Sequence, residues 1–239
     1  MKLAFNIVDW QAVAPALTTT AEWQQWARQP ARIDRKAKLT GCVPLPAMIA
    51  RRLNTGSRLA AGCGLALVRR QQVDALVFCS RHGELESNFQ LLTQLAHQNS
   101  LSPTDFVMSV HNSAAGNLAI AAKISVPATS LSAGIDTFQQ ALCEVHALQS
   151  NGYHRVLLVD FDGAIPDFYQ PWLPPAMPDY SWAVAFLLDT RAALHCTVEP
   201  VTLQTEPELP QGLQFLHGWL AGHSEFRVTG ERLNWCWRR

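Results

Sequence analysis

Three things are scarce in this sequence, and each scarcity excludes a class of function. No apolar run reaches the ~18 residues that a membrane-spanning helix needs. Lys and Arg number 19 and so do Asp and Glu, for a net charge of zero, so there is no electrostatic footprint for nucleic acid. The six cysteines are scattered with no C-x-x-C spacing, which fits reduced thiols in the cytoplasm better than a disulfide scaffold or a zinc site. His195-Cys196 is the one adjacent His–Cys pair, and both read as core residues, so no metal and no cofactor are expected. Met1 to Trp10 contains Asp9 and lacks a signal-peptide layout, which again points to the cytoplasm. No internal repeat or low-complexity stretch is present.

What remains is an α/β pattern. The chain has 239 residues, 48% of them hydrophobic, enough for a sizeable core. Strands are expected at Leu3–Trp10, Val73–Ser80, Ile124–Thr129, His154–Asp160 and Ser181–Asp189, with a short helix near Ala21–Arg28. Longer helices are expected within Ala47–Gln72 (Leu59, Cys63 and Leu67 on one stripe), at Glu86–Gln98, at His111–Lys123 and at Ala133–Ser150. On Glu86–Gln98, the face of Phe89, Leu92, Leu95 and Ala96 reads as core. Phe106–Val110 reads as extended, and Asn112 as a helix cap. Alternating strands and helices imply right-handed crossovers and a mainly parallel sheet. Arg51, Arg52, Arg58, Arg69 and Arg70 make one region basic, either as a solvated face or as a landing site for an acidic protein.

The stretch from Ser102 to Gly134 organises the rest. A strand, a tight turn through Ser130-Leu131-Ser132-Ala133-Gly134 and a helix N-terminus form the arrangement in which α/β proteins hold a nucleophile, because backbone N–H groups and the helix dipole converge there. The central residue, Leu131, has no chemistry. Ser132 gives a near miss to the G-x-S-x-G elbow, lacking the first glycine. A serine acyltransferase or hydrolase would need partners from Asp160, Asp162, His195 or His217, and these do not stand in a recognisable order.

The motifs resemble those of β-ketoacyl synthases. Ser102-Pro103 leads to Asn112, Ala115 and Gly116, while Thr129 and Gly134 match the flanks of the nucleophilic cysteine and place it at Leu131. Ser80-Arg81-His82-Gly83-Glu84, Ser102 to Phe106 and Val110 to Gly116 are most similar to the short, ketosynthase-like chain-length factor of aryl polyene and related type II polyketide pathways. The resemblance covers roughly residues 1–190. It implies the N-terminal half of a thiolase-like fold, with residues 191–239 as a short extension packed on it. His217 and His223 lack the His-Gly-Thr-Gly-Thr context of the catalytic histidines, and no role passes to them.

Claisen condensation needs a thiolate, two polar assistants such as histidines, and an oxyanion hole. The chain has neither the thiol nor the second half. The resemblance therefore implies a non-catalytic subunit that heterodimerises with a complete ketosynthase and lines the tunnel for an acyl or polyene chain carried on acyl carrier protein. Ser130, Leu131 and Ser132 would mark a vestigial site. His82, Gly83, Thr104, Asp105, Phe106, Met108, His111 and Asn112 would lie at the tunnel or interface. A scaffold without substrate contact is the remaining alternative.

Overall fold

The computed structural model describes residues 2–41 and 44–239. Met1, Cys42 and Val43 lie outside it, and so does the expectation of a reduced thiol at Cys42. The expected α/β architecture is present: one seven-stranded sheet with helices on both faces. Its strands are β1 (Leu3–Val13), β2 (Ala75–Cys79), β3 (Ala128–Leu131), β4 (Val156–Asp162), β5 (Trp182–Pro200), β6 (Glu225–Val228) and β7 (Leu233–Arg238). The order is β3-β2-β4-β5-β7-β6, and β1 pairs with β5.

Parallel pairing is confined to β3-β2-β4. The pairs β4-β5, β1-β5, β5-β7 and β6-β7 are antiparallel. This is less parallel than the strand–helix alternation implies. The reason is the β4-to-β5 connection, which is a loop with only a 3-10 helix at Asp167–Trp172 and no crossover helix. Without a crossover the chain re-enters the sheet in the opposite direction.

The helices are α1 (Thr20–Trp26), α2 (Ala47–Ala50), α3 (Thr55–Val68), α4 (Leu85–Ala96), α5 (Pro103–Met108), α6 (Ser113–Ala122), α7 (Thr137–Ser150) and α8 (Gln211–Leu220). β2 and β4 are buried on both faces, so each supplies side chains to two cores. On one face Leu76, Phe78, Leu157 and Phe161 meet α3 and α6. On the other, Val77, Cys79, Val156 and Leu158 meet Phe138, Leu142 and Val145 of α7 and Phe215 of α8. The expected stripe of Leu59, Cys63 and Leu67 is fully buried.

Four expectations need correction. Phe106–Val110 is not extended. Ser102 accepts a hydrogen bond from the Asp105 N–H at 3.3 Å, and Pro103 sits at the first helical position, so the chain enters α5 instead. The strand expected at Ile124–Thr129 begins only at Ala128. Lys123 adopts a left-handed cap at φ 56°. Pro127 offers no N–H and instead accepts from Leu76 N–H at 2.9 Å. The expected core face of α4 is open: Leu92 and Leu95 are 57% and 58% exposed, and Leu91 is the buried residue. Asn112 stands at the cap position of α6 but makes no side-chain capping bond.

One backbone contact fixes how α3 sits on the sheet. A Cβ on Gly56 would meet the Gly163 nitrogen at 2.5 Å and its Cα at 2.7 Å, just beyond the end of β4. Backbone cannot yield as a flexible side chain can. Gly56→Ala is therefore expected to cost about 1–3 kcal/mol, read as a lower denaturation midpoint with unchanged m-value, whereas Gly116→Ala meets no atom and should be tolerated.

Candidate functional site

The elbow forms as expected. β3 ends at Leu131, Gly134 takes a φ of 61°, and a 3-10 turn at Gly134–Asp136 leads into α7. Leu131 is half-buried and packs on the core beside α7. Ser132 is exposed, and its hydroxyl donates to the Arg81 carbonyl at 3.1 Å. His217 is engaged elsewhere, with Nε2 at 2.8 Å from the Gln29 carbonyl and its ring edge-on to Trp26. His195 lies in β5 between β1 and β7. Ser132 donates to the Arg81 carbonyl and His217 is engaged with Gln29, so the two are not hydrogen-bonded to each other.

Behind the elbow lies a cavity of about 40 Å³, room for water and too little for an acyl chain. Its walls include Arg81 and His82 from the loop after β2, Ile135 and Phe138 from the elbow, Asp160 and Asp162 from β4, and Glu206 and Gln211 from the C-terminal segment. Asp160 and Asp162 are two apart on a strand, so both point to the same face. Ser80 donates its hydroxyl to Asp162 at 2.6 Å, the His82 N–H donates to the same oxygen at 2.9 Å, and the Gly83 N–H donates to Ser80 Oγ at 2.7 Å. Cys79 donates its thiol to Asp160 at 3.3 Å.

Burial sets the protonation of this cluster. It pushes the Asp160 carboxyl well up, helped by the nearby charge of Asp162. It also raises Asp162, against the pull of His82 and its hydrogen bonds, and it lowers His82. Cys79, fully buried beside Asp160, is raised far above an ordinary thiol and cannot serve as a thiolate. Among the described residues no group of three or more His, Cys, Asp or Glu is arranged to hold a metal.

The Ser-Arg-His-Gly-Glu motif thus acts as a joint. Glu84 is buried and receives the Ser57 hydroxyl and the Asn54 amide from the start of α3. Gly83 takes a φ of 56°, and a Cβ there would meet the His111 ring at 2.7 Å. His111 Nε2 lies 3.2 Å from the Ser80 carbonyl. The structure therefore brings His82, Gly83 and His111 together at the C-terminal edge of the sheet. It places Thr104, Asp105 and Met108 elsewhere, on a separate cavity of about 420 Å³ with Arg51, Arg52 and Arg58. Phe106 points away from that cavity and is 62% exposed, and Asn112 is exposed. Sequence reasoning missed Glu206, Gln211, Asn54 and Ser57. The first two lie beyond residues 1–190, which carry the motif resemblance.

Burial raises Glu84 to about 7 from its ordinary 4.5, and the Ser57 bond only partly offsets this. Below pH 4.5 the group is protonated in folded and unfolded chains alike and costs nothing. As pH rises from 4.5 to about 7 the unfolded chain releases the proton and the folded chain keeps it, so stability falls by roughly 3 kcal/mol and then levels off. Glu84→Gln should flatten this part of the pH–stability profile. Denaturant midpoints at pH 4.5 and 7.5 check it, and an equal pH dependence in both proteins would refute it.

The model of the β-ketoacyl synthase N-terminal domain family matches residues 23–238. At 53% identity and a TM-score of 0.96, the chain is similar to a chain of the ketosynthase (ApeO) in complex with its chain length factor (ApeC) from Xenorhabdus doucetiae, covering 99% of this chain and 100% of that one. The fold also matches the ishigamide ketosynthase/chain length factor at 17% identity and TM-score 0.63, over 84% of this chain and 67% of that chain. A further fold match is a type II polyketide synthase acyl-carrier protein in complex with its ketosynthase (AntDE:AntF), at 9% identity and TM-score 0.71, over 100% and 99% of the two chains. No curated protein matches. With nine-tenths of its length inside the family model, this chain belongs to the β-ketoacyl synthase N-terminal-domain family.

Proposed function

We propose that this protein is a non-catalytic, ketosynthase-like chain-length factor. It pairs with a complete ketosynthase in the cytoplasm, and the pair elongates an acyl or polyene chain on acyl carrier protein. The partner supplies the cysteine and histidines, and this chain supplies part of the tunnel wall. The observation that carries this reading is Leu131: an elbow with its strand, turn and helix intact holds a hydrocarbon where the nucleophile belongs. The relative from Xenorhabdus doucetiae, known as part of a ketosynthase–chain length factor complex, supports the pairing.

Edge chemistry supports it as well. β3 and β6 each end the sheet path, yet they differ. β6 carries Glu225 and Arg227, paired with Arg238 and Glu199, and such charges discourage further strand pairing. β3 reads Ala-Thr-Ser-Leu with no charge at all, an edge left open to another chain. Exposed Leu92, Leu95, Phe106, Val107, Val110 and Ile120 lie on or beside α4, α5 and α6, the helices between β2 and β3. Arg51, Arg52 and Arg58 border the second cavity and offer an acidic carrier protein a basic rim.

Co-expression with the ketosynthase should give a one-to-one complex. Ala128→Lys, at an exposed position on the β3 edge, should abolish that complex while leaving the fold intact; size-exclusion chromatography with circular dichroism reads both. A complex that survives Ala128→Lys unchanged would contradict pairing through this edge. Phe106→Ala removes an exposed side chain, so its stability cost should stay below about 1 kcal/mol. In the complex it should lengthen or broaden the product distribution without slowing the first condensation. An unchanged profile in the assembled variant would reject Phe106 as a ruler.

A further inference from the structure

We propose that residues 204–214 form a plug latched across the elbow cavity, and that the Arg81–Glu206 pair determines where a growing acyl chain stops. This rests on the chain-elongation reading above. Residues 201–210 have no helix or strand of their own. Backbone bonds tie Val201 to Arg232 and Leu203 to Glu231, and side-chain ties hold the residues that follow. Glu206 is paired with Arg81, and only 10% of its side chain is exposed. A carboxylate so covered depends on its partner, and removing either one leaves the other charge stranded. Leu209 is buried against the same cavity.

The plug continues into α8, where four further ties hold it. Gly212 donates its N–H to Asp160, and a Cβ at that position would run into the Asp160 carboxylate, so the approach requires glycine. Gln211 donates to Asp136 at 2.9 Å and to the Thr229 carbonyl at 3.1 Å. Its Oε1 accepts the Gln139 N–H at 3.2 Å, one of the first-turn amides of α7 that no helical carbonyl can reach. The C-terminal segment thus occupies the polar positions of the elbow helix and closes its apolar wall of Ile135, Phe138 and Trp182. Where the chemistry of the elbow has been lost, the plug fills its space. A chain end arriving at His82 meets room for only about 40 Å³ and cannot advance unless the plug lifts.

The test uses the full chain in complex with its ketosynthase. Glu206→Gln keeps the shape and removes the charge. Peptides spanning 204–214 should exchange amide hydrogens at least about tenfold faster, and products should lengthen by one or more two-carbon units. The charge swap Arg81→Glu with Glu206→Arg should reverse both effects. If Glu206→Gln does not fold, Leu209→Ala leaves the ion pair in place, opens the same wall and should lengthen products in the same way. Unchanged exchange in Glu206→Gln would overturn the latch. Faster exchange with an unchanged product profile would overturn the plug as the stop, as would an unchanged profile in Leu209→Ala. Loss of elongation in the wild-type complex would instead contradict the functional reading, while the exchange comparison would still judge the latch.

Discussion

Buried carboxylates need donors, and this requirement shapes the upper edge of the sheet. Glu84, Asp160 and Asp162 all end up out of water at the C-terminal side of β2 and β4. An unpartnered polar group there would cost several kcal/mol, so the chain brings donors to each. Ser57 and Asn54 reach Glu84 from α3; Ser80 and the His82 amide reach Asp162; Cys79 and the Gly212 amide reach Asp160. These bonds join segments far apart in sequence. The loop after β2 is thereby fixed to the start of α3, to the end of β4 and, through Asp160, to the start of α8. Burial also holds these carboxyls toward their neutral forms.

That joint shows what the fold rests on. The fold does not depend on the nucleophile. It depends on the two cores around β2 and β4 and on the polar ties above them. At the centre of the elbow Leu131 is a hydrocarbon that packs on the core. The surface features that remain all face outward: an uncharged edge strand, apolar side chains on α4 to α6, and an arginine-bordered cavity. They suit a subunit whose role is exercised through contact with other molecules.

Much of this was legible in the sequence. Unbroken apolar runs identify the buried strands β2 and β4, and period 3.6 identifies the stripe of α3, because those elements lie wholly in the core. The elbow was legible because small residues and Gly134 mark the turn. Elsewhere local rules were misread or overridden. Ser-Pro-Thr-Asp is a helix start, and α5 follows from it. Pro127 shortens β3. The apolar face of α4 is a helical stripe in the sequence, but periodicity cannot distinguish a face that meets a core from one left open. The plug was invisible for a different reason. Glu206 and Gln211 acquire meaning only from Arg81, Gln139 and Asp136, residues that are 72 to 125 positions away.

The central claim is that this chain shapes an elongation tunnel without taking part in covalent chemistry. Intact-protein mass spectrometry tests it most directly, after the complex is incubated with acyl- and malonyl-loaded carrier proteins. The account predicts that every acyl adduct sits on the ketosynthase and that this chain keeps its unmodified mass. A stoichiometric adduct on this chain, at Ser132 above all, would contradict it.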